Sequence, residues 1–271
     1  QLIGCDSVTI KNSVFDRSNT GRKFAVIFTS DPEHAVIEDN HFIGPDNTEY
    51  GGASLFISGN DFTVRRNLFE NSPVGVYTHA SGSLISNNKF INTSTGIHVA
   101  NHGPDVFNNV FYDNQIAVYS WSRPAVIKNN VAYLTSPEDT SFHVSEVEIS
   151  NNIQNIEGGK AVEGVTVEDS LFVDVDNLNF YPRDNSPLID AGTDVGISLD
   201  YDLNPVPCGA LPDVGVYEHQ DACLEEENER PIADAGQDSS VFETDTLQLY
   251  GNNSYDPDED SLSYSWSAPD T

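Results

Sequence analysis

The sequence predicts an all-β chain: a parallel β-helix of about eight coils over residues 1–180, followed by a partial β-sandwich. Three observations predict it. An eight-residue pattern recurs eight times, a second pattern keeps step with it, and no helical 3.6-residue period runs through either.

The first pattern is clearest in Ala35-Val-Ile-Glu-Asp-Asn-His-Phe42, Ser83-Leu-Ile-Ser-Asn-Asn-Lys-Phe90 and Pro104-Asp-Val-Phe-Asn-Asn-Val-Phe111. Its third position is always apolar: Ile10, Ile37, Val64, Ile85, Val106, Ile127, Ile149 and Val167. Its sixth is Asn or Ser, and its eighth is Phe in six of eight copies. Successive middle asparagines (Asn40, Asn67, Asn88, Asn109, Asn130) stand 27, 21, 21 and 21 residues apart. Strands this short, at this spacing, are satisfied by coils that stack at about 4.8 Å, so that equal positions form ladders. The Ile/Val and Phe ladders then fill the interior. The Asn ladder turns the chain, with its amides bonding to neighbours above and below. Eight coils would make a rod roughly 38 Å long.

The second pattern begins 13 residues before each middle asparagine: Ser54-Leu-Phe-Ile57, Gly75-Val-Tyr-Thr78, Gly96-Ile-His-Val99 and Ala117-Val-Tyr-Ser120. The two-residue pleat sends Leu55, Val76, Ile97 and Val118 inward. It sends Phe56, Tyr77, His98 and Tyr119 outward, one coil apart. His79 and Trp121 stand on the adjacent outward stripe, with Arg123 close by.

Both patterns resemble the right-handed parallel β-helix families that include pectate lyase-like proteins, polysaccharide lyases and many bacterial surface proteins. The resemblance covers about residues 1–180. It implies the handedness of the coil, and it is specific for fold but not for activity.

Residues 181–222, with Ser186-Pro-Leu-Ile-Asp-Ala-Gly192 and Pro212-Asp-Val-Gly-Val-Tyr-Glu218, resemble a segment that ends many secreted bacterial β-helices, sometimes grouped with surface-anchoring regions. A cap over the last coil is the expectation, because an uncovered coil exposes unpaired strand groups. Residues 223–230 form an acidic linker around Glu225-Glu-Glu-Asn-Glu229. Residues 231–271 resemble the first half of a PKD-like, immunoglobulin-type sandwich. The resemblance rests on Pro231-Ile-Ala-Asp-Ala-Gly236, Asn253-Ser-Tyr-Asp-Pro-Asp258 and the alternation of Leu262, Tyr264 and Trp266. Together these features mark a fragment of a larger secreted or surface-attached protein.

The chain of 271 residues carries 43 acidic and 12 basic residues, a formal charge of −31. That field repels nucleic acid and anionic membrane. No apolar run is long enough to span a bilayer, so direct membrane insertion is excluded as well. Cys208 and Cys223 flank a loop-rich stretch and could pair, which fits an oxidising, extracellular or cell-surface location. Cys5 is left over.

An outward aromatic row at coil spacing is a platform for sugar rings, whose C–H faces stack on aromatic faces. The ligand-binding candidates are therefore Phe56, Tyr77, His79, His98, Tyr119, Trp121 and Arg123. The partner would be a polysaccharide or cell-surface glycan, or like subunits in self-assembly. The alternative is a carbohydrate-active enzyme, a polysaccharide lyase before a hydrolase, and the sequence leaves catalysis open. A lyase resemblance implies a basic proton abstractor, for which Arg65, Arg66, Lys89 and Lys128 offer themselves, with His79 or His98 as base or acid. No carboxylate pair of the hydrolase kind is recognisable. Calcium is the one cofactor the sequence suggests. Asp256 and Asp258 match the Asp-x-Asp of some PKD-like domains, and Asp200 and Asp202 have alternate-oxygen spacing suited to a hard cation.

Overall fold

The computed structural model describes residues 7–18, 24–28, 34–45, 52–100, 103–120, 126–133, 140–144, 148–150, 152–154, 171–220, 223, 230–258 and 260–267. The chain divides into two compact units, residues 1–223 and 224–271.

The first unit is a right-handed parallel β-helix with three parallel sheets. The first sheet stacks Ser7–Lys11, His34–Glu38, Phe62–Arg65, Leu84–Ser86, Asp105–Phe107, Val126–Lys128 and Glu148–Ser150. The second stacks the short strands that follow each of these, from Val14–Asp16 to Ile153–Gln154. The third stacks Phe24–Phe28, Ala53–Ile57, Val74–Thr78, Thr95–Val99, Ile116–Ser120 and Thr140–Val144. Seven coils are thus seen among the described residues. Most of the eighth repeat copy, residues 165–172, lies outside them. Its last residue, Phe172, begins an antiparallel pair between Phe172–Asp174 and Asn179–Pro182.

Register follows the repeat without slippage. Ile37, Val64, Ile85, Val106 and Ile127 are level neighbours in the first sheet and are buried. Phe15, Phe42, Phe69, Phe90 and Phe111 stack face to face with centroids 4.8–4.9 Å apart. Asn40, Asn67, Asn88, Asn109, Asn130 and Asn152 form a continuous amide ladder between the first two sheets. Each side-chain Nδ2 donates to the next Oδ1 at 2.8–3.0 Å. The residue before each ladder asparagine adopts a left-handed conformation: Asp39, Arg66, Asn87, Asn108 and Asn129 have φ of 52–58°. A second left-handed position at Asn71, Asn92 and Asp113 closes the second sheet. Asn and Asp tolerate that region better than other chiral residues, which explains their density here.

The interior also fixes two glycines. A Cβ on Gly75 would lie 2.6 Å from the Phe90 ring, and one on Gly96 would lie 2.6 Å from the Phe111 ring. One coil further on, Ala132 replaces the phenylalanine, and the partner position becomes Ala117. Ring and glycine are therefore one packing unit, repeated.

The described residues 171–220 run as a strap along the outer face of the second sheet. The physical cause is on that face. Its outward positions, Leu68, Ile91, Val110, Tyr112, Val131 and Tyr133, are apolar or aromatic and need cover. They form a second core with Leu171, Phe172, Phe180, Leu188, Val214, Val216 and Tyr217. Polar pins hold it: Asn87 Nδ2 donates to Leu199 O at 2.7 Å, Asn129 Nδ2 to Thr193 O at 2.8 Å, and Gly215 N to Asn129 O at 2.9 Å. The Cys208–Cys223 disulfide closes the segment's end.

In the second unit, one antiparallel bridge joins Ile232 and Tyr255, and the rest of its described residues form turns and irregular chain. Phe242, Tyr250, Tyr264 and Trp266 are exposed there.

Gly96→Ala is expected to destabilise the first unit by about 1–3 kcal/mol, because the new methyl meets the Phe111 ring. In a background where Phe111 is Leu, the ring's share of that cost should disappear, leaving the share from the Ala117 carbonyl 2.7 Å away. A denaturation double-mutant cycle measures this, and additive effects would refute the ring–glycine pairing.

Candidate functional site

The third sheet presents the row that the pleat dictates. Leu55, Val76, Ile97 and Val118 are fully buried, while Phe56, Tyr77, His98 and Tyr119 are half-buried on the outer face. Ring centroids follow one another at 5.5 Å (Phe56–Tyr77), 4.6 Å (Tyr77–His98) and 4.9 Å (His98–Tyr119). His143, one coil further, continues the row 5.1 Å from Tyr119 and was not among the residues expected. The repeat could have found it, since it pairs in register with Tyr119. His79 packs beside the row, 5.3 Å from Tyr77 and 5.8 Å from Phe56. Trp121 and Arg123 lie outside the described residues.

No position in the row is occupied by a carboxylate or an ammonium. Burial first, and then the neighbouring His79, hold the His98 imidazole below its ordinary value. His98 is therefore neutral at pH 7. The face is an aromatic–imidazole strip about five coils long, in a protein otherwise strongly acidic.

The basic residues named for lyase chemistry do not meet these histidines. Arg65 and Lys128 stand on the first sheet and Lys89 on the second. Arg66 occupies the turn between those two sheets. Arg65 pairs with Glu38 at 2.8 Å, and Arg66 pairs with Glu38 and Asp39, each at 2.8 Å. Lys89 is clasped by the strap. Its Nζ donates to the Tyr217 hydroxyl and lies 3.9 Å from the Tyr201 ring centroid, with Tyr181 stacked on Tyr217 at 3.9 Å. Burial pushes Lys89 down to about 8, against the pull of Asp202. Burial and Asp202 push Tyr201 up to about 12. No sequence pattern signals this clasp, because Tyr201 and Tyr217 lie more than a hundred residues from Lys89.

The acidic candidates divide. Asp200 is buried, and its Oδ1 accepts from the backbone N–H groups of Asp202 and Asn204. Its Oδ2 accepts from Asn204 Nδ2 and from Glu218 N. Asp202 accepts from the Tyr181 hydroxyl. Asp213 and Glu218, also buried, likewise accept backbone N–H groups, from Asp190, His219, Cys208 and Asp213. These carboxylates shape the strap. Asp256 accepts from Asp258 N at 2.9 Å in the second unit. Among the described residues no group of three or more His, Cys, Asp or Glu is placed to hold a metal ion.

Residues 1–131, just under half of the chain, match the family described as periplasmic copper-binding protein (NosD). Among solved structures, the pectate lyase Pel9A superposes with a TM-score of 0.53 at 17% identity, over 78% of this chain and 65% of that one. The chain therefore spans less than two thirds of that structure, and the likeness is one of fold. No curated protein matches. Copper does not fit the described residues. The sequence contains no methionine, Cys208 and Cys223 are joined in a disulfide, and the histidines gather no third ligand. No helix among the described residues is long and apolar enough to cross a membrane.

The lowered pKa of Lys89 makes a pH prediction. Between about pH 8 and pH 9.5 the unfolded chain holds a proton that the folded chain has released, so stability should rise with pH. Above about pH 10 the raised tyrosines reverse the trend, since they release their protons more readily unfolded. Lys89→Met should abolish the rise, as read from urea midpoints across that range. An unchanged slope would mean that the ammonium is not desolvated by the strap.

Proposed function

We propose that the outer face of the third sheet binds a neutral glycan chain laid along the stack, outside the cytoplasm. The observation that carries this reading is the row Phe56–Tyr77–His98–Tyr119–His143, with rings every 4.6–5.5 Å. Successive sugars of an extended chain repeat at a comparable spacing, so each could rest on one ring. The neutral His98 imidazole adds a donor and an acceptor for hydroxyls. An uncharged polymer is not opposed by the net charge of −31, whereas a second copy of the chain would be. The Cys208–Cys223 disulfide supports an oxidising location. Adhesion through such a glycan is the biological role this reading implies. Polysaccharide cleavage is the second reading, favoured by the fold shared with a pectate lyase. The separation of the basic residues from the histidine face weighs against it.

Calcium belongs to the proposal at Asp256 and Asp258. Asp256 and Asp258 supply carboxylate oxygens in the Asp-x-Asp spacing, the ligand type a hard cation takes. Millimolar calcium should raise the melting temperature of the wild-type chain and not that of Asp256→Asn. Equal response of the two would remove the ion from this loop.

For the glycan, calorimetry against a panel of neutral polysaccharides is the test. Tyr77→Ala and Tyr119→Ala should each weaken binding about tenfold, or about 1.4 kcal/mol, and leave the fold intact. Unchanged affinity in the double variant would eliminate this face as the site. Appearance of unsaturated product would favour the lyase reading.

A further inference from the structure

The described strap residues cover the middle coils of the second sheet and leave its first coils open. Val14, at the start of that face, is 68% exposed. Here Asn12, Val14, His41, Arg66, Leu68 and Tyr201 line a shallow cleft of about 300 Å³. Three coils and the strap contribute to it.

Arg66 is the anomaly that points to use. Its position in the turn ladder is left-handed, with φ of 52°. The equivalent residues in other coils are Asn12, Asp39, Asn87, Asn108 and Asn129, all of the short polar type that the conformation accepts. An arginine there holds a backbone conformation that long side chains rarely adopt. Its side chain is nonetheless held rigidly and only 8% exposed. Nε donates to Asp39 Oδ1 at 2.8 Å, and Nη2 donates to Asp39 Oδ2 at 3.1 Å and Glu38 Oε2 at 2.8 Å. Nη1 makes no hydrogen bond among the described residues.

Two other lining residues show the same arrangement, one end fixed and one end unused. His41 Nε2 sits 2.5 Å from Glu70 Oε2, which orients the ring and leaves Nδ1 without a hydrogen bond among the described residues. The Tyr201 ring is fixed between the Lys89 ammonium at 3.9 Å and Tyr217 at 5.6 Å. Its hydroxyl has no hydrogen-bond partner among the described residues. Leu68 and Val14 supply an apolar floor. Donors and acceptors positioned around such a floor suit a ring with hydroxyls at its edge and C–H bonds on its face. The single guanidinium is outnumbered by Glu38, Asp39 and Glu70, which disfavours a carboxylate- or phosphate-bearing ligand.

We propose that this cleft is a second binding site, for one or two residues of a neutral saccharide, separate from the third-sheet row. The test uses the full chain, with neutral gluco-, manno- and galacto-oligosaccharides and a galacturonate oligosaccharide as probes. Calorimetry gives affinity and stoichiometry, and saturation-transfer NMR identifies the bound sugar. His41→Ala and Tyr201→Phe, which leave the ladder and the strap core untouched, should weaken neutral-sugar binding about three- to tenfold. Tyr77→Ala/Tyr119→Ala should leave this component in place. Loss of all binding in the row variants, with silent cleft variants, would overturn the cleft and keep the row. Loss in the cleft variants alone would keep the cleft and overturn the row. Tighter binding of galacturonate, or no saccharide binding by any form, would overturn the cleft.

Discussion

The asparagine ladder is the constraint on which the rest of the molecule depends. Each coil must leave the first sheet and enter the second through a turn whose backbone groups face the interior. Asn88 shows how this is met. Its Oδ1 accepts from the N–H and the Nδ2 of Asn67, while its own Nδ2 donates to Val64 O, Ser86 O and Asn109 Oδ1. Every polar atom of a fully buried side chain is used, and three coils are joined by one residue. A single such bond contributes only about 1 kcal/mol net, but an orphaned buried group costs about 1–3 kcal/mol. The ladder is therefore a device for register more than for raw stability. A coil out of step would strand several groups at once, and it would turn every outward side chain inward.

Functional geometry inherits that register. The ladder fixes where each second-sheet strand starts, the turn at Asn71, Asn92 and Asp113 fixes where each third-sheet strand starts, and the Phe–Gly packing fixes their separation. The rings of the third-sheet row are spaced by the backbone beneath them. A platform built this way is rigid without a rigid loop. A sequence with only 38% hydrophobic residues can afford it because the repeating interior is narrow.

How much could be read beforehand follows from the same division. The coil, the ladder, the inward Ile/Val and Phe files and the outward aromatic row repeat every 21 residues in the middle of the chain, so the sequence displays them. The strap does not repeat. Its contacts join residues 128 apart (Lys89 and Tyr217) and 112 apart (Asn87 and Leu199), with no period to reveal them. A signal did exist in the outward positions Val110, Tyr112, Val131 and Tyr133, where aliphatic valines alternate with tyrosines in two coils and offer no polar group at the valine position. Read with the pleat, they call for a lateral cover. The strained arginine at position 66 was equally visible as the one long side chain in a file of Asn and Asp. Its meaning needed the turn conformation, which the sequence does not state.

The strap also changes how the acidity is to be understood. Asp200, Asp213 and Glu218 are at most 3% exposed, so part of the negative charge lies inside the protein. These carboxylates serve as anchors for backbone N–H groups that an irregular segment cannot satisfy with a sheet ladder. Asparagine performs this task in the coils, where donors and acceptors alternate from one coil to the next. A carboxylate performs it in the strap, where several N–H groups converge on one point. Burial raises Glu218 to about 7 despite its two N–H donors, a sign that the anchoring is bought at an electrostatic cost. The protein accepts that cost on the second sheet, where an apolar face must be covered, and the described strap residues are packed there. The third sheet bears no such burden. Its outward file is aromatic and holds no carboxylate, ammonium or guanidinium from Phe56 to His143, which is the condition for recognising a ligand rather than another part of the chain.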